Sequence, residues 1–202
     1  MAANKKLQDL EQKLQRNERQ LRVIQEVSRL MTRRMSLPEI LQAIVDLVGD
    51  ATKADACLIY LIDDNELVLC ATSLPHPGQI GKIRLKMGEG LTGWVARERR
   101  MVAISREAYK DSRFRLFTDL PEDTFEAFLS VPVIARDEVV GVINVQHRKP
   151  HQHTGNEMEM VSTVGEQVGC VIVLARLGGQ ADWKSSHVEF LLSHPPTAPG
   201  KK

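Results

Sequence analysis

Phe128-Leu-Ser-Val-Pro-Val-Ile-Ala-Arg-Asp-Glu-Val-Val-Gly-Val-Ile-Asn-Val-Gln146 is the stretch whose reading decides the fold. Two arms rich in Val, Ile and Phe flank the polar break Arg136-Asp137-Glu138. That composition fits a half-buried antiparallel pair joined by a tight turn. Pro132 lies inside the first arm, where it removes a ladder donor, so the arm belongs at an edge, a bulge or a strand start.

Upstream, Cys57–Ile62 and Leu67–Thr72 flank Asp63-Asp-Asn-Glu66, which predicts a second hairpin. Ile83–Leu85 and Val102–Ile104 read as short strands on either side of a short helix, Leu91–Glu98. Ser36-Leu-Pro-Glu39 is a capping box with Pro in the first turn, opening a helix over Leu37–Thr52. Thr154-Gly-Asn-Glu157 is a second such box. The helix after it runs to Leu177 and is apolar on more than one side, which demands more than one packing partner. Residues 105–126 are mostly polar with Phe114, Phe117 and Phe125 interleaved, the pattern of a lid or binding loop.

Residues 5–35 hold neither Pro nor Gly. Leu7, Leu10, Leu14, Leu21 and Ile24 follow a heptad seam in which Asn17 takes the place of a missing apolar residue. Val23, Val27, Leu30 and Met31 then shift the stripe as a stutter would. The alternatives are a self-associating helix and an amphipathic helix folded back on its own domain. With Val161, Val164, Val168 and Val171 at heptad spacing on the last helix, we expect a homodimer held by helices from both ends of the chain.

Composition sets the outer bounds. The chain has 202 residues, enough for one domain with extensions. A formal net charge of +1 gives no global reason to bind nucleic acid or an anionic membrane. Three scattered cysteines make no disulfide framework. The start Met-Ala-Ala-Asn-Lys-Lys has no apolar run behind it, and no later run is expected to reach transmembrane length, so the expected location is the cytoplasm. Residues 178–202 read as a disordered tail, within which Phe190-Leu-Leu192 is the candidate for a short docking turn.

Three motifs invite chemistry. Gly88-x-Gly90-x-x-Gly93 matches the dinucleotide fingerprint in letters, but a hairpin rather than a βαβ unit precedes it, and Glu89 would face the pyrophosphate. His147, His151 and His153 have spacings that could serve a metal, yet no Cys or carboxylate lies among them and Pro150 intervenes, so a polar loop is the expectation and no metal site is assigned. Cys57 and Cys70 are expected near one another across the first hairpin, and all three thiols, Cys170 included, are expected to be buried and inert.

Lys53-Ala-Asp-Ala-Cys-Leu-Ile-Tyr-Leu-Ile62, Gly88-Glu-Gly-Leu-Thr-Gly93 with Trp94-Val-Ala-Arg97, Asp111-Ser-Arg-Phe114 and the 128–146 hairpin occur in the order and spacing that resemble a GAF domain, nearest to the sensor domains of nitrogen-type phosphoenolpyruvate–protein phosphotransferases. The resemblance covers roughly residues 37 to 177. It implies an α/β fold: an antiparallel sheet of five or six strands with flanking helices, here behind a long N-terminal coiled-coil helix. The organisation it implies is a helix over 1–35, a GAF domain over 36–177 and the tail. It also implies a small-molecule pocket, for which Trp94, Arg113, Phe114, Phe117, Phe125, Phe128 and Ser130 are the candidate residues.

Cyclic-nucleotide GAF domains carry an Asn-Lys pair, Phe and Asp-Glu where this chain has His147, Arg148, His153 and Glu157-Met158, so that ligand class is disfavoured. Bilin binding is disfavoured because there is no Cys-His dipeptide. The expected function is a non-enzymatic sensory module with no catalytic residue, a small-molecule ligand and a signalling partner protein. The alternatives are an enzyme of the free methionine sulfoxide reductase type and a ligand-free dimerisation scaffold. The sequence identifies no cofactor.

Overall fold

The computed structural model describes residues 2–75, 77–114 and 125–179. Phe117 and the 178–202 tail beyond Gly179 therefore lie outside the described residues. Six strands form one antiparallel sheet: β1 (Ala56–Asp63), β2 (Glu66–Thr72), β3 (Arg84–Lys86), β4 (Val102–Ile104), β5 (Ala127–Ala135) and β6 (Glu138–His147), in the order β3-β2-β1-β6-β5-β4. Four helices accompany it: α1 (Ala2–Leu30), α2 (Leu37–Thr52), α3 (Gly90–Glu98) and α4 (Gly155–Gly179).

Both predicted hairpins close through two residues with positive φ. These are Asp64 and Asn65 between β1 and β2, and Arg136 and Asp137 between β5 and β6. Such turns match the twist of the strands they join, and Asp and Asn tolerate the left-handed region better than most residues. At Pro132, β5 pairs with β6 alone among the described residues, because β4 pairs no farther than Ser130, and a register shift follows one residue later between Val133 and Ile134. The missing amide thus falls where the ladder needs it least.

The sheet separates two cores. Cys57, Ile59 and Leu61 on β1, Ile143 and Val145 on β6, and Leu129, Val131 and Val133 on β5 face α2, α4 and the end of α1. Leu58 and Tyr60, with Phe128 and Val142, face α3 and the loops around it. Glu39 reaches back to the start of α2, accepting hydrogen bonds from the Ser36 amide at 2.7 Å and hydroxyl at 2.8 Å, which holds its carboxyl below the usual range.

Three expectations need correction. Val161, Val164 and Val168 do not present themselves to a partner: all are fully buried in the chain's own core, with Val171 half-buried against it. They face the sheet because α4 covers β5 and β6 and leans on α1 and α2 as well. Gly155–Arg176 is long and apolar enough by composition to cross a membrane, contrary to the sequence-based expectation, and its apolar surface is spent partly on that packing. Cys57 and Cys70 do not face one another. Leu58 pairs with Thr72 and Ile59 with Ala71, whereas Tyr60 pairs with Leu69, so Cys70 occupies a bulge.

Gly93 settles the glycine motif. A Cβ there would lie 2.5 Å from the Lys86 carbonyl oxygen and 3.1 Å from the Gly88 amide nitrogen, both backbone atoms. Gly88 and Gly90 carry φ of 85° and 66°. The glycines let the chain turn from the antiparallel strand β3 into α3, a packing role rather than a phosphate-binding one. Gly93→Ala should lower stability by about 1–3 kcal/mol, as overpacking does. Gly155→Ala, where a Cβ meets nothing within 4 Å, should leave the urea midpoint nearly unchanged. Equal midpoints for the two variants would contradict this close approach.

Candidate functional site

Three buried polar side chains meet at the centre of the α3 face of the sheet. Ser130 and Asn144 are cross-strand partners of β5 and β6, so their side chains emerge on the same face. Ser130 Oγ donates to Asn144 Oδ1 at 2.7 Å, and Asn144 Nδ2 donates to Thr92 Oγ1 of α3 at 2.8 Å. All three side chains are buried. The chain of hydrogen bonds fixes α3 to the centre of the sheet, and buried polar groups joined in this way hold one arrangement over its alternatives.

At the edge of this face Arg113 lies over the Trp94 ring, 4.5 Å from its centroid, while donating to both carboxylate oxygens of Asp111 at 2.9 and 2.8 Å. The guanidinium hydrogen bonds hold the Asp111 carboxyl low. Phe125 and Phe128 are buried, and Phe114 packs against the same core. The structure thus gathers Trp94, Phe114, Phe125, Phe128 and Ser130 on one core, with Arg113 stacked on Trp94. Ser130 was read as a polar point for a ligand, but its hydroxyl is already engaged by Asn144.

Thr92 and Asn144 escaped the sequence reading. A signal existed for Asn144: it stands two residues from Val142, so it shares that valine's buried face in an otherwise apolar strand.

The histidines are closer than a polar loop would bring them. His147 closes β6, and His151 follows after Pro150. His147 and His151 stack with ring centroids 3.9 Å apart, and His153 lies edge-on to His151 at 4.9 Å. The carboxylate that the sequence reading missed comes from α4. Glu157 lies 3.0 Å from His151 Nε2 and 3.1 Å from His153 Nδ1. Only half of the second capping box therefore forms: the Glu157 amide donates to Thr154 Oγ1 at 3.2 Å, but its carboxylate turns to the imidazoles. Burial works to raise the Glu157 carboxyl, and the two histidine hydrogen bonds outweigh it and hold it low. Burial, then the neighbouring His151 and His153, pulls His147 down to about 4.

The thiols divide. Cys57 and Cys70 are buried in the core beneath α2 and α4, away from the α3 face, and burial pushes Cys70 up to about 12 and Cys57 higher still. Cys170, expected to be buried, is exposed on α4.

The family model described as GAF domain matches residues 36–172. The chain belongs to the GAF domain family. The GAF domain of a phosphoenolpyruvate–protein phosphotransferase from Acinetobacter is 29% identical with a TM-score of 0.72, covering 82% of this chain and 96% of that one. The corresponding GAF domain from Coxiella burnetii is 27% identical with a TM-score of 0.76, covering 80% and 97%. A curated relative from Escherichia coli K12, described as a phosphoenolpyruvate-dependent phosphotransferase system, is 27% identical over 173 residues, or 82% of this chain. The chain spans 22% of that relative's length. Free methionine-R-sulfoxide reductases are also similar, at 14% identity for the Neisseria meningitidis protein, a likeness that shows the fold alone.

Asn144→Ala should cost about 1–3 kcal/mol in denaturant unfolding, because it leaves Ser130 and Thr92 buried without their shared partner. A loss below about 0.5 kcal/mol would show that the trio contributes little. In native protein a thiol reagent should modify Cys170 first, with Cys57 and Cys70 reacting only on unfolding. Mass mapping of the modified peptides checks the order.

Proposed function

We propose that this chain is a non-enzymatic sensory and signalling GAF module that takes a small molecule on its α3 face and relays its state through a helical homodimer to a signalling partner protein. The similarity to GAF domains of phosphotransferases supports the sensory role. An apolar face with a few fixed polar groups is the general form of a small-molecule site, and the arrangement of Trp94, Arg113, Phe125, Phe128 and the Ser130–Asn144–Thr92 trio supports that part of the reading.

The observation that carries the relay is the leucine stripe of α1. Asn156 Nδ2 donates to Asn17 Oδ1 at 2.7 Å, and Gln167 Nε2 donates to Ser28 Oγ at 3.0 Å. The offset of 139 residues is the same at both contacts, so α1 runs parallel to α4 from Asn17 onward. Val23, Val27 and Leu30 are buried by this packing. Ahead of Asn17 the same offset leads to the loop before α4, and the described side chains of this part of the helix are exposed. Leu7, Leu10 and Leu14 there are 55%, 53% and 59% exposed, and Leu21, beyond Asn17, is 55% exposed as well. On α4 the open face is Cys170 and Leu174.

A second copy is the occupant whose heptad pattern is guaranteed to match. Burying a leucine is worth roughly 1.5–3 kcal/mol. The four from each of two chains, each a little over half exposed, would contribute roughly 7–13 kcal/mol, comparable with an association cost of about 4–15 kcal/mol. The enzyme alternative has less support, since none of the three cysteines belongs to the α3-face core.

Light scattering at tens of micromolar should give a dimer for the intact chain. Leu14→Asp with Leu21→Asp should give a monomer with the melting temperature of the GAF domain preserved. A monomeric intact chain, or a dimer indifferent to both substitutions, would contradict the relay.

A further inference from the structure

We propose that His147, His151, His153 and Glu157 form a closed binding site for one divalent transition metal ion of the zinc type. One potential ligand atom from each residue lies within 4.8 Å of all the others. Three imidazoles and a carboxylate are borderline donors that suit zinc, and four of them complete its tetrahedral shell. Donors about 2.0–2.1 Å from zinc stand roughly 3.4 Å apart, so modest side-chain rotations bring this set to bonding geometry.

Two further observations point to a cation. His147 and His153 are 5% and 7% exposed, yet the Nε2 atoms of both lack a hydrogen-bond partner among the described residues. Buried imidazole nitrogens without partners are costly, and three rings packed together share a single carboxylate. A metal ion would give these nitrogens an acceptor for their lone pairs, and Glu157 would exchange its contacts with two imidazoles for one bond to the ion.

The ligands are also held independently. The His147 carbonyl accepts from the Glu126 amide at 2.8 Å, the His151 amide donates to the Ser105 carbonyl at 2.9 Å, and Glu157 sits in the first turn of α4. The end of β6, the loop over 148–153 and the start of α4 would be tied at one point. With every position of the shell filled by protein, the ion would have no open site for substrate, so its role would be to fix α4 against the sheet.

The test is zinc titration of the untagged full chain after chelator treatment, followed by calorimetry, melting temperature and, with cobalt in place of zinc, the visible absorption of a tetrahedral complex. We expect one ion per chain, a higher melting temperature with zinc than with chelator, and intense cobalt bands. Removing even an outer-shell partner of a metal site typically costs about 10–100-fold in affinity. His151→Ala and Glu157→Gln should therefore each weaken zinc by at least roughly a hundredfold while circular dichroism shows the fold intact. Glu157→Gln provides the readout if His151→Ala does not fold. His187→Ala with His194→Ala, and Cys170→Ser, should leave binding unchanged. Binding that is absent, that is unaffected by Glu157→Gln, or that disappears with the 187/194 or Cys170 variants would overturn the proposal.

Discussion

Strand β6 is the element on which the rest of the structure depends. It pairs along its length with β1 on one side and β5 on the other, and both of its faces are covered. A strand in that position has no solvent side, so its sequence must be apolar at successive positions rather than at alternate ones. Val140, Val142, Ile143 and Val145 meet the requirement. Of its two buried polar residues, Asn144 is hydrogen-bonded to Ser130 and Thr92, whereas His147 is stacked within the histidine cluster and its Nε2 has no hydrogen-bond partner among the described residues.

From that strand follow the two unlike faces. On one, helices α2 and α4 and the end of α1 cover the sheet with aliphatic side chains, and this face is a matter of packing. On the other, a nine-residue helix and the loops beside it leave aromatic residues and an Arg113–Trp94 stack around a fixed polar trio. The histidine cluster lies where β6 ends and α4 is about to begin, on the connection that leads from the sheet into α4.

Much of this was legible in the sequence for local reasons. Tight turns need particular residues, so Asp64-Asn65 and Arg136-Asp137 marked both hairpins. The box at Ser36 and Glu39 placed α2 to the residue. What escaped depended on contacts between distant positions. Periodicity showed that Val161, Val164 and Val168 share a stripe but not which surface claims it, and the sheet did. The turn register itself sets the two cysteines apart: continued from Tyr60–Leu69 it would place Cys70 opposite Ile59, and a one-residue bulge then displaces Cys70 from that position too. The spacing of Thr154 and Glu157 reads as a capping box, yet two imidazoles claim the Glu157 carboxylate and only the Thr154 half of the box forms.

The central claim is that β6 and its two neighbours form a core beyond which the described side chains in the first half of α1 are exposed. Hydrogen exchange followed by mass spectrometry tests it directly. Amides within Leu58–Leu61, Leu129–Val131 and Ile143–Val145 should exchange only with global unfolding, and those of the first half of α1 should exchange much faster in dilute protein, where chains are separate. Sheet amides exchanging as quickly as the start of α1, or that start as protected as the sheet at the highest dilution, would contradict the account.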